Sequence, residues 1–303
     1  MNILYVLCDA RTPGPIPDQL CAKGYKTEVV DEPGSAIFTI RENPDAIDAV
    51  IFNSGGDVQE GLEFLTLVKT DTEIWDTPVI VQSNGASEEE QTSLVEAGAY
   101  FCIVADIDND ILHSIVRTSA VDARQTRLIR KDVRNRSSGV GRLVNATFEI
   151  QTLDEARKLA TMLSLPCPDP QSAAIGLTEL LVNAIEHGNL GITYEQKQIL
   201  LDTNSWPQEI EKRLLLTENR NKYVTVEFET HSSSIQFRIK DMGRGFDPKP
   251  FMTICPERMT RRNGRGIAMA AQFCFDKVEY IGCGNEVSVT IDHVAKWGQR
   301  LSA

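Results

Sequence analysis

Four short apolar runs in the first part of the chain, NILYVL, DAVIFN, TPVIVQS and YFCIVA, alternate with polar stretches long enough to form a crossover helix each time. A strand that reads as a continuous apolar run is covered on both faces, and parallel strands need such crossovers, so the segment is constrained to an α/β unit with a parallel sheet. None of the runs approaches the ~20 apolar residues that span a bilayer. The start, MNILYVLCDARTPG, has no basic flank or small-residue cleavage site and reads as a first strand rather than a signal peptide. Seven cysteines lie at 8, 21, 102, 167, 255, 274 and 283 with no C-x-x-C pair, which argues against a disulfide framework or zinc site and fits a reducing cytoplasm.

The formal charge of −12 is distributed unevenly. Residues 1–116 hold 21 Asp/Glu against 5 Lys/Arg, residues 117–142 hold 8 basic and 2 acidic side chains, and residues 143–303 are near balance with 18 and 20. The two shifts divide the 303 residues into a domain over 1–118, a basic linker over 119–142 and a second domain over 143–303. Few helix breakers occur from 117 to 136, and Val121, Leu128 and Ile129 are near heptad spacing, so the linker reads as a helix. It could be a solvated connector or pair with a second copy in a homodimer. Its arginines could also meet nucleic acid, although the acidic flanks oppose phosphates, and no direct nucleic-acid contact is expected.

The first domain resembles the receiver domain of bacterial response regulators, through DAVIFNSGGDVQEGLEFL, PVIVQS and EAGAYFCIVADI. The resemblance implies a flavodoxin-like parallel sheet. It also implies a phosphoacceptor aspartate where Asn53 stands, an acidic pair where Leu7 and Cys8 stand with Asp9 following, and a lysine where Ala105 stands. Ser83 keeps the switch hydroxyl. An amide cannot form an acyl phosphate, so the domain is expected to act as a pseudo-receiver in protein contact.

In ELLVNAIEHGN, residues 179–189, Glu179, Asn183 and His187 recur every fourth residue and share one helical stripe. An isolated polar face with HGN as its C-cap would explain the pattern, but further signals follow in order. SSSIQFRIKDMGRGFDP alternates as a strand, ends in Asp241 and breaks at Gly243 and Gly245. RRNGRGIAMAAQFCF then supplies Gly264 and Gly266 before an apolar helix. A carboxylate at a strand end can accept from an adenine amino group, and glycines let backbone approach closely. Free N–H groups at a helix start suit phosphate, an amide oxygen suits Mg²⁺, and a carboxylate one turn earlier can take a proton from an attacking hydroxyl. The P-loop pattern GxxxxGK[ST] is absent.

This order of elements resembles the GHKL (Bergerat) ATP-binding α+β sandwich, and within it the anti-sigma-factor type of Ser/Thr protein kinase, with ELLVNAIEHGN as the N box, DMGRGFDP and NGRGIAMA as the glycine boxes, and CFDKVEYIGCGNEVSVTI as the closing strands. The resemblance implies ATP and Mg²⁺ as cofactors. It makes Glu179 the general base and Asn183 the Mg²⁺ ligand. Asp241 becomes the adenine contact, Gly243, Gly245, Gly264 and Gly266 the phosphate-loop and lid glycines, and Arg265 a phosphate contact. His187 would either line the phosphate pocket or serve as a structural histidine. Residues 246–263 would form a lid. Residues 191–222 are long for their place and read as a helical insertion, used as a partner surface, a dimer contact or a cover for the sheet. The implied partner is a STAS-type anti-anti-sigma protein, a sigma factor, or both. One alternative is an ATP-responsive binding module that transfers no phosphate. A sensor histidine kinase would need its phosphorylatable histidine before the ATPase region, where only His113 is present.

Overall fold

The computed structural model describes residues 1–8, 14–104, 106–135, 143–203, 205–252 and 266–293. Two compact units divide between Arg127 and Leu128. In the first, β1 (Asn2–Leu7), β2 (Lys26–Val30), β3 (Ala49–Asn53), β4 (Val79–Gln82) and β5 (Phe101–Ile103) form one parallel sheet in the order β2-β1-β3-β4-β5. This is the flavodoxin-like order, with its switch point between β1 and β3. The pleat sends alternate residues to opposite faces. Ile3, Tyr5, Leu7 and Ile51 join one core layer, and Leu4, Val6, Val50 and Phe52 join the other. The four apolar runs give four strands, and the fifth, β2, is the edge strand KTEVV within the first gap. It is mixed in character because no residue of it is fully buried.

The helices of this unit are α1 (Ile16–Ala22), α2 (Pro33–Glu42), α3 (Val58–Lys69), α4 (Glu88–Glu96) and the part of α5 (Asn109–Asn135) up to Arg127. Helix α5 runs unbroken for 27 residues and carries most of the basic stretch. Two of its arginines close on Asp48, whose side chain is 5% exposed: Arg124 Nη2 lies 3.1 Å and Arg127 Nη1 3.0 Å from the carboxylate. Asn2 N–H donates to the same group at 2.9 Å. These donors hold the Asp48 carboxyl below the usual range despite its burial.

In the second unit, β6 (Asn145–Ile150), β7 (Val224–Thr230), β8 (Ser234–Lys240), β9 (Lys277–Ile281) and β10 (Glu286–Asp292) form an antiparallel sheet in the order β6-β7-β8-β10-β9. One face buries Val224, Val226, Phe228, Ile235, Phe237, Ile239, Val287, Val289 and Ile291. The other carries Glu227, Arg238, Lys240 and Glu286, paired across strands at 3.2–3.9 Å. This alternation marks a sheet covered by helices on one side only. The helices include α6 (Leu153–Ser164) and α7 (Pro170–Asn183), and within the long connection α8 (Tyr194–Asp202) and α9 (Trp206–Leu214). Among the described residues no helix is long and apolar enough to cross a membrane.

Candidate functional site

Helix α7 begins under control of Asp169, whose carboxylate accepts from Gln171 and Ser172 N–H at 3.1 Å, with Pro170 in the first turn. Leu177, Leu180 and Leu181 are buried, which turns Glu179 outward and leaves Asn183 half-buried. Beyond Asn183 the helix widens into a π-helical turn, Ala184–Asn189, closed by Leu190 N–H on Ile185 O at 2.9 Å. Such turns occur often at functional sites. The turn takes His187 off the regular α-helical repeat. Its Nδ1 lies 2.5 Å from Ile192 O, and burial, aided by the charge of Lys197, lowers its pKa below the ordinary value. The imidazole is thus bound to backbone through Nδ1.

The turn locks onto the loop after β8. Asp241 N–H donates to Asn285 O, and Asn285 Nδ2 returns a bond to Asp241 O, both at 3.0 Å. Gly243 N–H donates to the Asp241 carboxylate at 2.7 Å, and Met242 N–H donates to Asn189 Oδ1 at 2.8 Å. A Cβ on Gly188 would overlap the Asp241 carboxyl, so only glycine permits this approach. A Cβ on Gly243 would meet Gly188 O at 2.5 Å. Gly245 takes a left-handed φ of 76° where the loop turns against Cys283. Burial pushes the Asp241 carboxyl up to about 6 in spite of the Gly243 bond, and the charge of Asp241 helps burial to raise the Tyr280 phenol.

Gly266 reaches the other end of the stripe. A Cβ on Gly266, at the start of the short helix Gly266–Met269, would overlap Glu179 Oε2. The structure therefore joins Glu179 with Gly266, and Asp241 with Gly243 and the π turn. Gly264 and Arg265 lie outside the described residues, as does the expected lid from 253 onward. Asn189, Asn285 and Gly188 complete the Asp241 loop, yet no periodicity singled them out, because their partners are 44 to 53 residues away.

The donor set suits a purine nucleotide. A half-buried acceptor, Asp241, is tied through Met242 to Asn189, whose Nδ2 is buried without a hydrogen-bond partner among the described residues. A base edge needs such an acceptor and donor. Among the described residues no group of three or more His, Cys, Asp or Glu could hold a metal ion. A cation held by Asn183 would draw its remaining ligands from phosphate and water.

At the C-terminal edge of the parallel sheet, Asn53 sits in register with Leu7 on one side and Gln82 on the other. Its Oδ1 accepts from Gly55 N–H at 3.0 Å, its Nδ2 donates to Tyr5 OH at 3.1 Å, and Tyr5 OH donates to Gln82 Oε1 at 2.8 Å. Leu7 and Cys8 are buried, as is Ser83. Asp9 and Ala105 lie outside the described residues. His113 on α5 shares a 2.7 Å hydrogen bond with Tyr25 OH.

Residues 147–291 match the family model described as the histidine kinase-like ATPase domain. No curated protein matches the chain. Among solved structures, a response regulator receiver domain protein from Clostridium thermocellum is 17% identical at a TM-score of 0.35, covering 42% of this chain and 98% of that one. NtrX from Brucella abortus, in complex with ATP, is 18% identical at a TM-score of 0.38, covering 54% of this chain and 34% of its own length. The chemotaxis response regulator CheY4 of Vibrio cholerae is 19% identical at a TM-score of 0.33, covering 39% and 97%.

Proposed function

We propose that this protein is an ATP-dependent regulator whose second domain works as an anti-sigma-factor-type Ser/Thr protein kinase on a STAS-type protein, under control of a receiver-like domain that takes no phosphate. The observation that carries the reading is the close approach of glycines to two carboxylates on one unit: Gly266 against Glu179, and Gly243 with Gly188 against Asp241. In this reading Asp241 accepts from the adenine amino group and Asn183 holds Mg²⁺, which would neutralise phosphate charge. Glu179 takes the proton of the attacking hydroxyl, for which its exposed position leaves it reachable. A partner Ser or Thr is favoured over a histidine on this chain, since His113 is engaged with Tyr25. A sigma factor would be a second partner held by the same domain.

The test is phosphotransfer from labelled ATP to a STAS protein recovered with the full chain. Glu179→Gln should lower the rate by about 10²- to 10⁴-fold, the usual contribution of a positioned base, with ATP affinity nearly intact. If no partner is phosphorylated while partner affinity still differs with and without ATP, the protein is an ATP-responsive binding module instead.

A further inference from the structure

The stretch 191–222 is not a loose insertion, because three of its cations close on consecutive parts of the π turn. Lys197 Nζ on α8 lies 2.8 Å from Glu186 Oε2, off the hydrogen-bonding direction and so as an ion pair. Glu186 is fully buried, and its Oε1 accepts from Trp206 Nε1 on α9 at 3.1 Å. Lys197 also lies 5.9 Å from the centroid of the Trp206 ring, within cation–π range. Arg213 Nη1 donates to Leu190 O at 2.9 Å, and Lys222 Nζ donates to Asn189 O at 2.8 Å. The next residues in the chain of contacts are Asn189 on Met242 and Gly188 on Asp241.

Helix α8 reaches the loop beyond Asp241 as well. Tyr194, in its first turn, meets the Phe251 ring edge-to-face at 6.3 Å, Phe251 meets Phe246 at 5.6 Å, and Phe246 meets Tyr280 at 5.3 Å. One helix therefore contacts both the π turn behind Asp241 and the start of the expected lid.

A buried ion pair is weak evidence of added stability, since the cost of desolvating two charges offsets their attraction, and it is better explained where it fixes one geometry. We infer that Glu186, Lys197 and Trp206 are positioning residues of the nucleotide site: they hold the π turn at the setting in which Gly188 and Asn189 present Asp241 to the base. The inference rests on the ATP reading above. It assigns the insertion the task of setting nucleotide affinity.

Calorimetry of ATP with Mg²⁺ on the full chain tests this beside thermal melting. Lys197→Met should weaken ATP by about 10- to 100-fold, by analogy with the loss seen when the outer partners of metal ligands are removed. Lys197→Arg, which keeps the charge, should restore affinity to within a few-fold. Trp206→Phe keeps an aromatic face, though a smaller one, and removes the N–H that Glu186 accepts from, so it decides the matter if Lys197→Met fails to fold, with a several-fold loss expected. Folded variants that melt earlier yet bind ATP like the wild type would overturn the inference, leaving the pair as a tether for α8 and α9. A wild-type chain that binds no ATP would overturn the nucleotide reading itself, and this inference with it.

Discussion

Two polar sites at strand ends, Asn53 in the parallel sheet and Asp241 in the antiparallel one, solve the problem of burial in opposite ways. Around Asn53 the groups are neutral and mutually satisfied, an amide on a phenol on a second amide, with Gly55 N–H fixing which end of the Asn53 amide is the oxygen. Around Asp241 an ionisable group is half-buried, and the hydrogen bond its carboxylate accepts from Gly243, the one among the described residues, does not bring its pKa down to the ordinary range. Burying a carboxylate is costly when donors are too few. A neutral network can be kept for stability alone, whereas an acid left short of donors points to a ligand that completes them.

The largest effect expected is at Asp241. A ligand that binds only the folded state adds about 2.7 kcal/mol of stability at 100 times its Kd. Asp241→Ala should abolish the ATP-induced rise in melting temperature, because the amino group of the base loses its acceptor. A wild-type melting temperature unmoved by millimolar ATP and Mg²⁺ would remove the contrast between the two sites.

Asn53→Asp sharpens the comparison from the other side. The new carboxylate would offer an acceptor to Tyr5 OH, whose proton already serves Gln82, so the network must turn round or leave an acceptor unsatisfied. A loss of about 1–3 kcal/mol in chemical denaturation is expected. An unchanged midpoint would mean that the network is adaptable.

The pH dependence of ATP binding should follow Asp241, since only the ionised carboxyl accepts two-sidedly from its neighbours and the base. With a folded pKa raised to about 6, the ionised form is full above that value and is lost as pH falls through it. Affinity should drop about tenfold between pH 7 and pH 5, following the ionised fraction. The same raised pKa makes the free protein less stable at neutral pH than at acid pH as far as this group is concerned, because the unfolded carboxyl ionises at lower pH. Calorimetry across that range should show the drop in wild type and a flat profile in Asp241→Asn.

How much of this was legible in the sequence depended on whether the signal was local. The strands β1, β3, β4 and β5 announce themselves as buried apolar runs, whereas β2 is half-exposed at the edge and reads as ordinary polar sequence. The charge reversal after residue 116 was visible, but the closure of Arg124 and Arg127 on Asp48 spans 76 and 79 residues and has no local mark. Asp241 and its glycines stood out because a strand pattern breaks there. Glu186 did not, since its partners come from α8 and α9 and its place in a π turn leaves no trace in residue spacing.

The smallest effect expected is none at all. Acetyl phosphate should leave the intact mass of the protein unchanged, because Asn53, which stands where the resemblance to receivers would put an acceptor aspartate, is an amide whose oxygen and nitrogen are both engaged. The nearest acid after β3 is Asp57, whose carboxylate accepts from Gln59 N–H at 2.9 Å as the N-cap of α3. Phosphorylating it would cost the helix its cap, worth about 1 kcal/mol. A mass gain that is lost at alkaline pH and maps to Asp57 would show that a carboxylate outside the neutral network takes the phosphate. A gain that maps to Asp9 would show the same for the acid that follows Leu7 and Cys8 in the sequence. Either result would make the first domain a working receiver, and the difference between the two strand-end sites would then be one of position rather than of chemistry.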